Sequence, residues 1–385
     1  MKAISLRNKP GTRYLRGIDL RRVRPIFRSV ETPFMVLRTD RIRYNINRLR
    51  DSLTGIDIHY AVKANDHDSI LRTLIDEKCC FDISSISELD KVVKNGGQVS
   101  SAIHTNPIKM ISEFDAAVNA GVRTFVADNF LELDKFSKYG DRAGVMVRFK
   151  TESGASVVNL SYKFGTELSD IPGMLDRIKD LGLIFRGFCF HVGSQCTEAE
   201  LYVKSIQTAG HLIKMARERG FDSEVLDIGG GFPIEYTANI PAIEDMGRNI
   251  ITALKENIDP TIKTICEPGR FICGDSVILF ASVIGKTVRE GKIWYYIDDG
   301  LYGSFSGRLY DHCSYQILTN RNTKWERAVL AGPTCDSFDI VYDNCLLPPL
   351  ELGDILMFPA MGAYCSVSAT NFNGLKHARI ITVDW

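Results

Sequence analysis

The chain has 385 residues, 45% of them hydrophobic, which is enough for two domains with separate cores. Its 47 basic and 47 acidic side chains give a formal net charge of zero, which argues against a nucleic-acid partner. No apolar run reaches the roughly 18 residues of a membrane span, and the N-terminus lacks the apolar core of a secretory signal. We therefore expect no membrane contact. Ten cysteines without regular spacing predict reduced thiols in a cytoplasmic protein and no metal site.

The first long part of the chain predicts alternating strands and helices. Residues 40–53 predict a helix, because Ile42, Ile46 and Leu49 recur at helical spacing. Amphipathic segments such as "SISELDKVVKNGG" then separate short apolar runs, which are 57–63, 80–83, 101–104, 123–126, 144–149, 185–191, 224–228 and 263–267. Eight strands alternating with helices predict a (β/α)₈ TIM barrel. An open doubly wound sheet is the alternative, weakened because no G-x-G-x-x-G follows the first strand.

The pattern changes after residue 272. The segments "SVILFASVIGKTV", "KIWYYIDDG", "WERAVLAG", "DILMFPAMGAY" and "HARIITVDW" are strand-like, and turns rather than helices join them. We therefore expect an α/β plus β chain with three parts. Residues 1–35 form an N-terminal segment that packs with the β domain, residues 36–272 form the barrel, and residues 273–385 form an all-β domain.

Polar residues cluster where the predicted barrel strands end. In such barrels the chemistry takes place at the C-terminal ends of the strands. Each of these residues has a simple structural explanation by itself, such as an exposed lysine, a capping aspartate or a hydrogen-bonded core histidine. Six equivalent positions with polar or glycine residues favour one common site, and they are Lys63, Asp82, Arg148, His191, Gly229 to Gly231, and Glu267.

The glycine run in "DIGGGFP" predicts a phosphate site. Three consecutive glycines can direct several backbone N–H groups at one anion, and barrels often bind phosphate after strands seven and eight. Ser194 and Arg270 lie in the neighbouring loops, although a plain tight turn is the simpler explanation. A phosphate site together with a strand-end lysine suggests pyridoxal 5′-phosphate. That cofactor needs an amine (Lys63), an acidic partner for its pyridine nitrogen (Glu267) and a group that stacks on its ring (His191).

Motifs along the chain resemble a known family. The segments "YAVKAN", "FHVGSQ", "DIGGGFP", "EPGR", "DDGLYGSF", "LYDH", "GPTCDSFD" and "GAYCSVSATNFNG" occur in this order. Together they resemble the basic amino-acid decarboxylases with the alanine-racemase fold, of which ornithine decarboxylase is the type. The resemblance implies a barrel followed by a β domain, in a homodimer whose active sites are shared at the interface.

The resemblance also implies residue roles on the cofactor side. Lys63 would form the Schiff base, Glu267 would pair with the pyridine nitrogen, and His191 would stack on the ring. The residues that would hold the phosphate are Ser194, Gly229, Gly230, Gly231, Arg270 and Tyr364. The residues that would line and order the lysine side are Asp82, Glu88 and Arg148.

On the substrate side, the resemblance makes Cys335 the proton donor to the carbon that loses CO₂. Inert packing is the usual explanation for a lone cysteine. Asp311 and Asp336, with Tyr302, would bind the distal ammonium group of the substrate. Lys163 and Asp339 would form an ion pair across the dimer interface.

The acidic end of this pocket predicts the substrate class. Diaminopimelate decarboxylases usually carry glutamate where Asp336 follows Cys335, and they need an arginine for a distal carboxylate. Two aspartates suit an ammonium instead, so we expect conversion of L-ornithine to putrescine and CO₂ in polyamine biosynthesis. Lysine, both amino acids, or a related diamino acid such as diaminopimelate are the alternatives. Arg308 stands where ornithine enzymes usually have an apolar residue; it is either a solvated side chain or a charge that reaches Asp311 or a substrate carboxylate.

Two other functions fit the same cofactor fold. An amino-acid racemase would need a second proton donor, usually a tyrosine, whereas the "TCDSFD" element favours decarboxylation. A catalytically inactive regulatory homologue would tend to lack cofactor ligands, and none of the expected ones is missing from the sequence.

Overall fold

The computed structural model describes residues 23, 25–151, 162–319, 321 and 323–384. The chain forms two compact units. The barrel unit comprises Ile42–Pro233 and Ile240–Ile272, and the β unit comprises Ile234–Asn239 with the described residues of Met1–Arg41 and Cys273–Trp385. The predicted functional domains, with limits after residues 35 and 272, stay a prediction. In the described part of the chain, no helix is both long enough and apolar enough to cross a membrane.

The barrel unit is a closed ring of eight parallel strands. Helix α1 (Ile26–Ser29), strand β1 (Phe34–Arg38) and helix α2 (Thr39–Ser52) precede it in the chain. Its strands are β2 (Asp57–Ala61), β3 (Cys80–Ile83), β4 (Ala102–His104), β5 (Thr124–Ala127), β6 (Gly144–Arg148), β7 (Ile184–Cys189), β8 (Val225–Asp227) and β9 (Lys263–Cys266). The ring closes because β9 pairs with β2, with Asp57 opposite Ile265. This confirms the predicted barrel and excludes the open doubly wound sheet.

Helices alternate with the strands, as the amphipathic segments predict. They are α3 (Asp68–Asp76), α4 (Ile86–Lys94), α5 (Ile111–Ala120), α6 (Phe130–Phe136), α7 (Ile171–Asp180), α8 (Ala199–Glu218), α9 (Ile243–Asn257) and α10 (Arg270–Cys273). Local sequence sets their ends. Ser85 caps α4 by accepting a hydrogen bond from the Glu88 N–H group, and Gly121 ends α5 in a left-handed conformation with φ 113°.

Two predicted strand ends lie too far along the chain. Lys63 is not in β2, which ends at Ala61; it lies in a single 3₁₀ turn, Val62–Ala64. His191 likewise follows β7, which ends at Cys189, by two residues. The apolar pattern continues past the last ladder hydrogen bond because the loop residues are also buried, so periodicity overestimates strand length.

The β unit contains the predicted all-β domain. Its strands are β1 with β10 (Val277–Arg289), β11 (Lys292–Ile297), β12 (Leu318–Thr319), β13 (Glu326–Ala331), β14 (Ile340–Leu347), β15 (Ile355–Pro359) and β16 (Arg379–Val383), and a short helix α11 spans Gly307–Tyr310. The order is β12-β15-β10-β11-β13-β14, and β1 pairs with both β10 and β16. The buried rings of Phe34 and Phe280 stack with centroids 5.0 Å apart in its core.

Candidate active site

An ion pair centres on Lys63 at the C-terminal end of the barrel strands. The Lys63 Nζ atom lies 2.8 Å from Asp82 Oδ2, and the Thr105 hydroxyl donates to Asp82 Oδ1. The Lys63 side chain is 40% exposed, whereas that of Asp82 is fully buried. A buried carboxylate needs partners for both oxygens, and Asp82 has them. The fold therefore holds the lysine amine at a fixed place at this end of the barrel.

The small residues beside Lys63 have a packing role. A Cβ atom built on Gly269 would lie 2.7 Å from the Ala64 Cβ atom and 3.3 Å from the Ala61 Cβ atom. The Ala61 N–H group also donates to the Pro268 carbonyl at 3.2 Å. Glycine and two alanines thus allow the loop after β9 to approach the Lys63 turn closely.

Glu88 lies at the start of α4, next to this ion pair. Its Oε2 atom accepts a hydrogen bond from the Ser84 N–H group at 2.6 Å, which completes the cap of the helix. Burial, with the charge of Asp82 as a further contribution, raises the pKa of Glu88 to about 7. Glu88 therefore changes its protonation state near neutral pH.

His191 follows β7 as a neutral imidazole. Burial, reinforced by the positive charges of Arg148 and Lys63, lowers its pKa well below the ordinary value. Its Nδ1 atom accepts a hydrogen bond from the Gly193 N–H group at 3.0 Å, so the proton of the neutral ring is on Nε2. A neutral ring with a fixed tautomer can stack on a flat ligand.

Two carboxyl groups meet where β8 and β9 end. Burial raises the pKa of Glu267 above its ordinary value, with the charge of Asp82 adding to this effect, whereas Lys63 opposes it. Burial and the neighbouring Glu267 raise the pKa of Asp227 well above its ordinary value. Within this pair the proton therefore favours Asp227 and the negative charge favours Glu267. Sequence reasoning did not assign a role to Asp227, although it is the first residue of the motif "DIGGGFP".

The glycine run after β8 is a tightly bonded loop. The Gly229 carbonyl accepts from Glu267 N–H at 2.8 Å, that of Gly230 from the Tyr202 hydroxyl at 2.8 Å, and that of Gly231 from Cys196 N–H at 2.9 Å. Gly229 and Gly231 have φ values of 68° and 103°. A Cβ atom at any of the three positions would lie 2.3–2.4 Å from a backbone oxygen. Only glycine fits this close approach.

The N–H groups of this loop can face an anion. The Gly229 N–H group donates to Asp227 Oδ1 at 2.8 Å. Among the hydrogen bonds of the described residues, the N–H groups of Gly230 and Gly231 have no acceptor. Nearby, Nη2 of the buried Arg270 donates to Ser194 Oγ at 3.1 Å, so a guanidinium and a hydroxyl lie together. These are the donors that a phosphate requires.

Arg148 and His104 complete the polar rim of the barrel unit. Arg148 ends β6, and its guanidinium lies over the Phe164 ring, 5.3 Å from the centroid. His104 ends β4 and is buried, with no hydrogen-bond partner among the described residues for either ring nitrogen. Burial lowers its pKa to about 4, so it is neutral. Sequence reasoning did not single out His104, although it is the last residue of the predicted strand 101–104.

In the β unit, Cys335 lies in an exposed turn. Its N–H group donates to Asn373 Oδ1 at 3.0 Å, and Asn373 Nδ2 donates to Cys335 Sγ at 3.3 Å. The neighbouring Asp336 accepts from the Tyr302 hydroxyl through Oδ2 and from Phe338 N–H at 3.0 Å through Oδ1. The Tyr302 hydrogen bond lowers the pKa of Asp336, so this carboxylate stays charged.

Arg308 is half-buried, and its hydrogen bonds go to two backbone carbonyls and a hydroxyl rather than to Asp311. Its Nε atom donates to the Val341 carbonyl at 3.0 Å, and Nη1 donates to the Cys313 carbonyl at 2.8 Å. The guanidinium also lies 4.3 Å from the centroid of the Tyr342 ring. Since Asp311 lies between α11 and Cys313, Arg308 fastens the segment that carries Asp311 to β14.

Three further predicted residues have defined surroundings. Asp339 is buried and accepts hydrogen bonds from Leu301 N–H at 2.7 Å and from Thr334 Oγ1 at 2.8 Å. The Lys163 amine lies 4.9 Å from the Phe164 ring centroid, so the ion pair between Lys163 and Asp339 across a dimer stays a prediction. Tyr364, in the β unit, has a left-handed φ of 56°.

The chain is similar to known proteins over most of its length. The family described as "pyridoxal-dependent decarboxylase, pyridoxal binding domain" matches residues 39–274. A lysine/ornithine decarboxylase of Selenomonas ruminantium is 35% identical over 365 residues, 94% of this chain and 92% of that protein. An ornithine decarboxylase of Mus musculus is 33% identical over 352 residues, 86% of this chain and 76% of that protein. The solved lysine/ornithine decarboxylase of Vibrio vulnificus, complexed with cadaverine, has a TM-score of 0.90 and 37% identity, over 95% of this chain and 99% of that one.

Proposed function

Since the chain belongs to the family of pyridoxal-dependent decarboxylases, we propose that it removes the α-carboxyl group of L-ornithine, giving putrescine for polyamine biosynthesis. Lysine is the alternative, alone or together with ornithine, since the Vibrio vulnificus relative has been solved with both cadaverine and putrescine. The observation that carries the proposal is the buried polar set around Lys63. One methylene separates the two substrates, a difference worth only about 1–3 kcal/mol in a pocket.

The residues of the barrel unit fit pyridoxal 5′-phosphate. Among the described residues the N–H groups of Gly230 and Gly231 have no acceptor, and Arg270 and Ser194 add donors of the right kind. Lys63 would hold the cofactor through its amine, Glu267 would face its pyridine nitrogen, and neutral His191 would stack on its ring. When bound, the cofactor supplies a protonated ring that accepts the electrons left on the substrate when CO₂ departs.

The chain's own residues would manage charge around this chemistry. Asp82, with its second oxygen bonded to Thr105, would orient the Lys63 amine. The buried Asp227 carboxyl, whose pKa is raised by burial and by Glu267, would take the proton and leave Glu267 as the negative group of the pair. His191 would add no charge beside the ring because its pKa is depressed.

The β unit would supply the substrate end of the pocket. Cys335 would give its proton to the carbon that lost CO₂, and Asp336 would bind the distal ammonium group. The Tyr302 hydrogen bond supports this role because it keeps Asp336 charged and fixes its orientation. Asp311 would add a second negative group, in a segment that Arg308 holds in place.

A parallel assay tests the reaction and the substrate. Purified protein with cofactor is incubated with ornithine, lysine, arginine and diaminopimelate, and amine and CO₂ are measured. We expect putrescine and CO₂ in equal amounts from ornithine. Loss of optical rotation without CO₂ would instead indicate a racemase. Absence of a visible cofactor band would indicate an inactive regulatory homologue, and a band without turnover of any of the four would reject the proposed reaction.

We also propose a homodimer in which each active site takes Lys63 from one subunit and Cys335 from the other. Lys63→Ala and Cys335→Ala homodimers, each nearly inactive, are dissociated and remixed in equal amounts. In a mixed dimer one site carries both defects and the other carries none. Because about half the dimers are mixed, activity should recover to about a quarter of wild type. No recovery would show that each site is built within one chain.

A cytoplasmic location is proposed on the basis of the thiols. All ten cysteines are free of disulfide bonds, and seven of them are buried. Reduced cysteines in this number are usual for proteins of a reducing compartment. Localisation of a tagged full-length chain in its own cell would test this.

A further inference from the structure

The Asn373 side chain makes two hydrogen bonds to one residue, Cys335. Its Oδ1 atom accepts a hydrogen bond from the Cys335 N–H group at 3.0 Å, and its Nδ2 atom lies 3.3 Å from Cys335 Sγ. Asn373 lies in the motif "GAYCSVSATNFNG", but the functions assigned so far give Asn373 no role.

The direction of the second bond follows from the first. A backbone N–H group can only donate, so the carboxamide oxygen must face it. The NH₂ group of Asn373 then necessarily faces the sulfur, whichever way the amide would otherwise be assigned. The sulfur of Cys335 therefore accepts a hydrogen bond from an amide that cannot rotate away without losing its backbone partner.

The turn that carries Asn373 is itself anchored. Asn373 has a left-handed φ of 54°, which asparagine tolerates better than most residues. The preceding Phe372 ring stacks on Tyr302 with centroids 4.4 Å apart, and the Thr370 N–H group donates to the Tyr302 carbonyl at 2.8 Å. Tyr302 is also bonded to Asp336, next to Cys335. One network thus joins the Cys335 turn to the Asn373 turn.

We propose that Asn373 is a positioning residue for Cys335: its N–H···S bond holds the thiol in one orientation and stabilises the sulfur after the proton has left. The proposal rests on the proposed function, in which Cys335 is the proton donor. In that step the S–H bond breaks and a C–H bond forms at the carbon that lost CO₂. The S–H electron pair stays on sulfur as a thiolate, and the Asn373 N–H group is directed at this new charge.

Two variants separate this role from a purely structural one. Asn373→Asp keeps an oxygen for the Cys335 N–H group but replaces the N–H donor at sulfur with a negative charge. Asn373→Ala removes both bonds. A residue that only braces the backbone would tolerate aspartate and not alanine. Asn371→Asp is the matched control, because it adds the same charge two residues away, at a side chain without a bond to Cys335 among the described residues.

The direct measurement is alkylation of Cys335 by iodoacetamide in the holoenzyme, followed by mass spectrometry of its peptide. The ratio of the rate at pH 7 to the high-pH plateau reports the thiolate fraction, and the plateau itself reports access. We expect this ratio to fall about threefold in Asn373→Ala and about tenfold in Asn373→Asp, since an added carboxylate opposes a thiolate. Asn371→Asp should stay within about twofold of wild type.

Turnover gives a second, independent measurement. Both Asn373 variants should lower kcat, with aspartate the worse, and leave KM nearly unchanged, because both side-chain bonds of Asn373 go to Cys335. A wild-type alkylation ratio in Asn373→Asp overturns the proposal. If thermal unfolding shows that this variant does not fold, the alkylation ratio of Asn373→Ala is used instead, and a wild-type ratio there overturns the proposal. Because alkylation needs no substrate, a chain that decarboxylates nothing would refute the proposed function and leave the Asn373 result readable.

Discussion

Two lysine–aspartate pairs of nearly equal length lie at opposite ends of the barrel. Lys63 and Asp82 are 2.8 Å apart beyond the C-terminal ends of the strands. Lys263 and Asp57 are 2.7 Å apart at the first residues of β9 and β2. The side chains of the second pair are 56% and 54% exposed, whereas Asp82 is fully buried. The two pairs therefore differ in burial and not in distance.

This difference in burial distinguishes an ion pair on the surface from one in the candidate active site. An exposed pair contributes about 0–1 kcal/mol to stability and is screened by salt. The carboxylate of Asp82 has no exposed surface, so its bonds to Lys63 and Thr105 fix both groups. The same contrast distinguishes Glu267, buried beside Asp227, from Glu244, which is paired with Arg48 on the surface.

The largest effect should come from breaking the buried pair. Lys63→Ala removes the amine that would hold the cofactor, so the visible cofactor band and nearly all turnover should disappear. Lys263→Ala, which breaks the exposed pair, should keep both and change the free energy of unfolding by less than about 1 kcal/mol. Absorption spectra and decarboxylation rates of the two variants give the comparison. A normal cofactor absorption band in Lys63→Ala would show that another amine holds the cofactor.

The next largest effect should come from Glu267→Gln. This change keeps the size and removes the charge that would face the pyridine nitrogen. We expect turnover to fall roughly 100-fold or more while cofactor stays bound, as for the loss of one preorganised electrostatic group. Glu244→Gln on α9 is the matched control and should leave turnover unchanged. Equal rates in both variants would place the acidic partner elsewhere.

A smaller effect should follow from Arg308→Lys in the β unit. Lysine keeps the charge but cannot reach the Val341 and Cys313 carbonyls together and stack on Tyr342. We expect the free energy of unfolding to fall by about 1–2 kcal/mol and KM for ornithine to rise a few-fold, with kcat little changed. Arg327→Lys, at an exposed arginine hydrogen-bonded to Asn344, is the control and should change neither the free energy of unfolding nor KM. An unchanged KM would show that Arg308 does not position the segment that carries Asp311.

The smallest effect should be a change of stability with pH in Glu88→Gln. Folding raises the pKa of Glu88 from 4.5 to about 7, so the folded chain binds the proton more tightly. The stability gained is fully present below pH 4.5 and is lost as the pH rises through about 7. Glutamine keeps the cap at Ser84 and cannot ionise. The melting temperature of the variant relative to wild type should therefore rise between pH 5 and 8.

Glu244→Gln again serves as the control in calorimetry. The hydrogen bond from Arg48 lowers the pKa of Glu244 below 4.5, so its stabilising effect is lost only as the pH falls below that value. Its difference from wild type should be flat between pH 5 and 8. A flat difference for Glu88→Gln as well would mean that Glu88 is not buried in solution.

Sequence alone reached the barrel, the β domain and the residue types at the strand ends. Lys63, Asp82 and Glu267 could be named because strand periodicity and motif spacing are local properties of the chain. Thr105 and Asn373 could not, because a threonine or asparagine carries no chemical signal until the fold provides its partner. Thr105 acquires its role from β3, and Asn373 from a turn 38 residues earlier.

The role of Arg308 also could not be predicted from the sequence. The sequence marked it as a departure from a pattern and left two roles open, a solvated charge or one turned toward Asp311. Its acceptors are backbone carbonyls on β14 and after α11, and backbone positions are fixed by the fold rather than by residue type. Periodicity also extended the strands past Ala61 and Cys189, since buried loops resemble strands in composition.

Because the carbonyls of Gly229, Gly230 and Gly231 are bonded to Glu267, Tyr202 and Cys196, the loop after β8 cannot open alone. Its amides should exchange with solvent deuterium together with those of the loops after β7 and β9, as one cooperative unit. A molecule held by this rim would then leave mainly through rare joint openings of three loops. The slow release of such a molecule would then be set by hydrogen bonds between the loops, which do not contact the molecule itself.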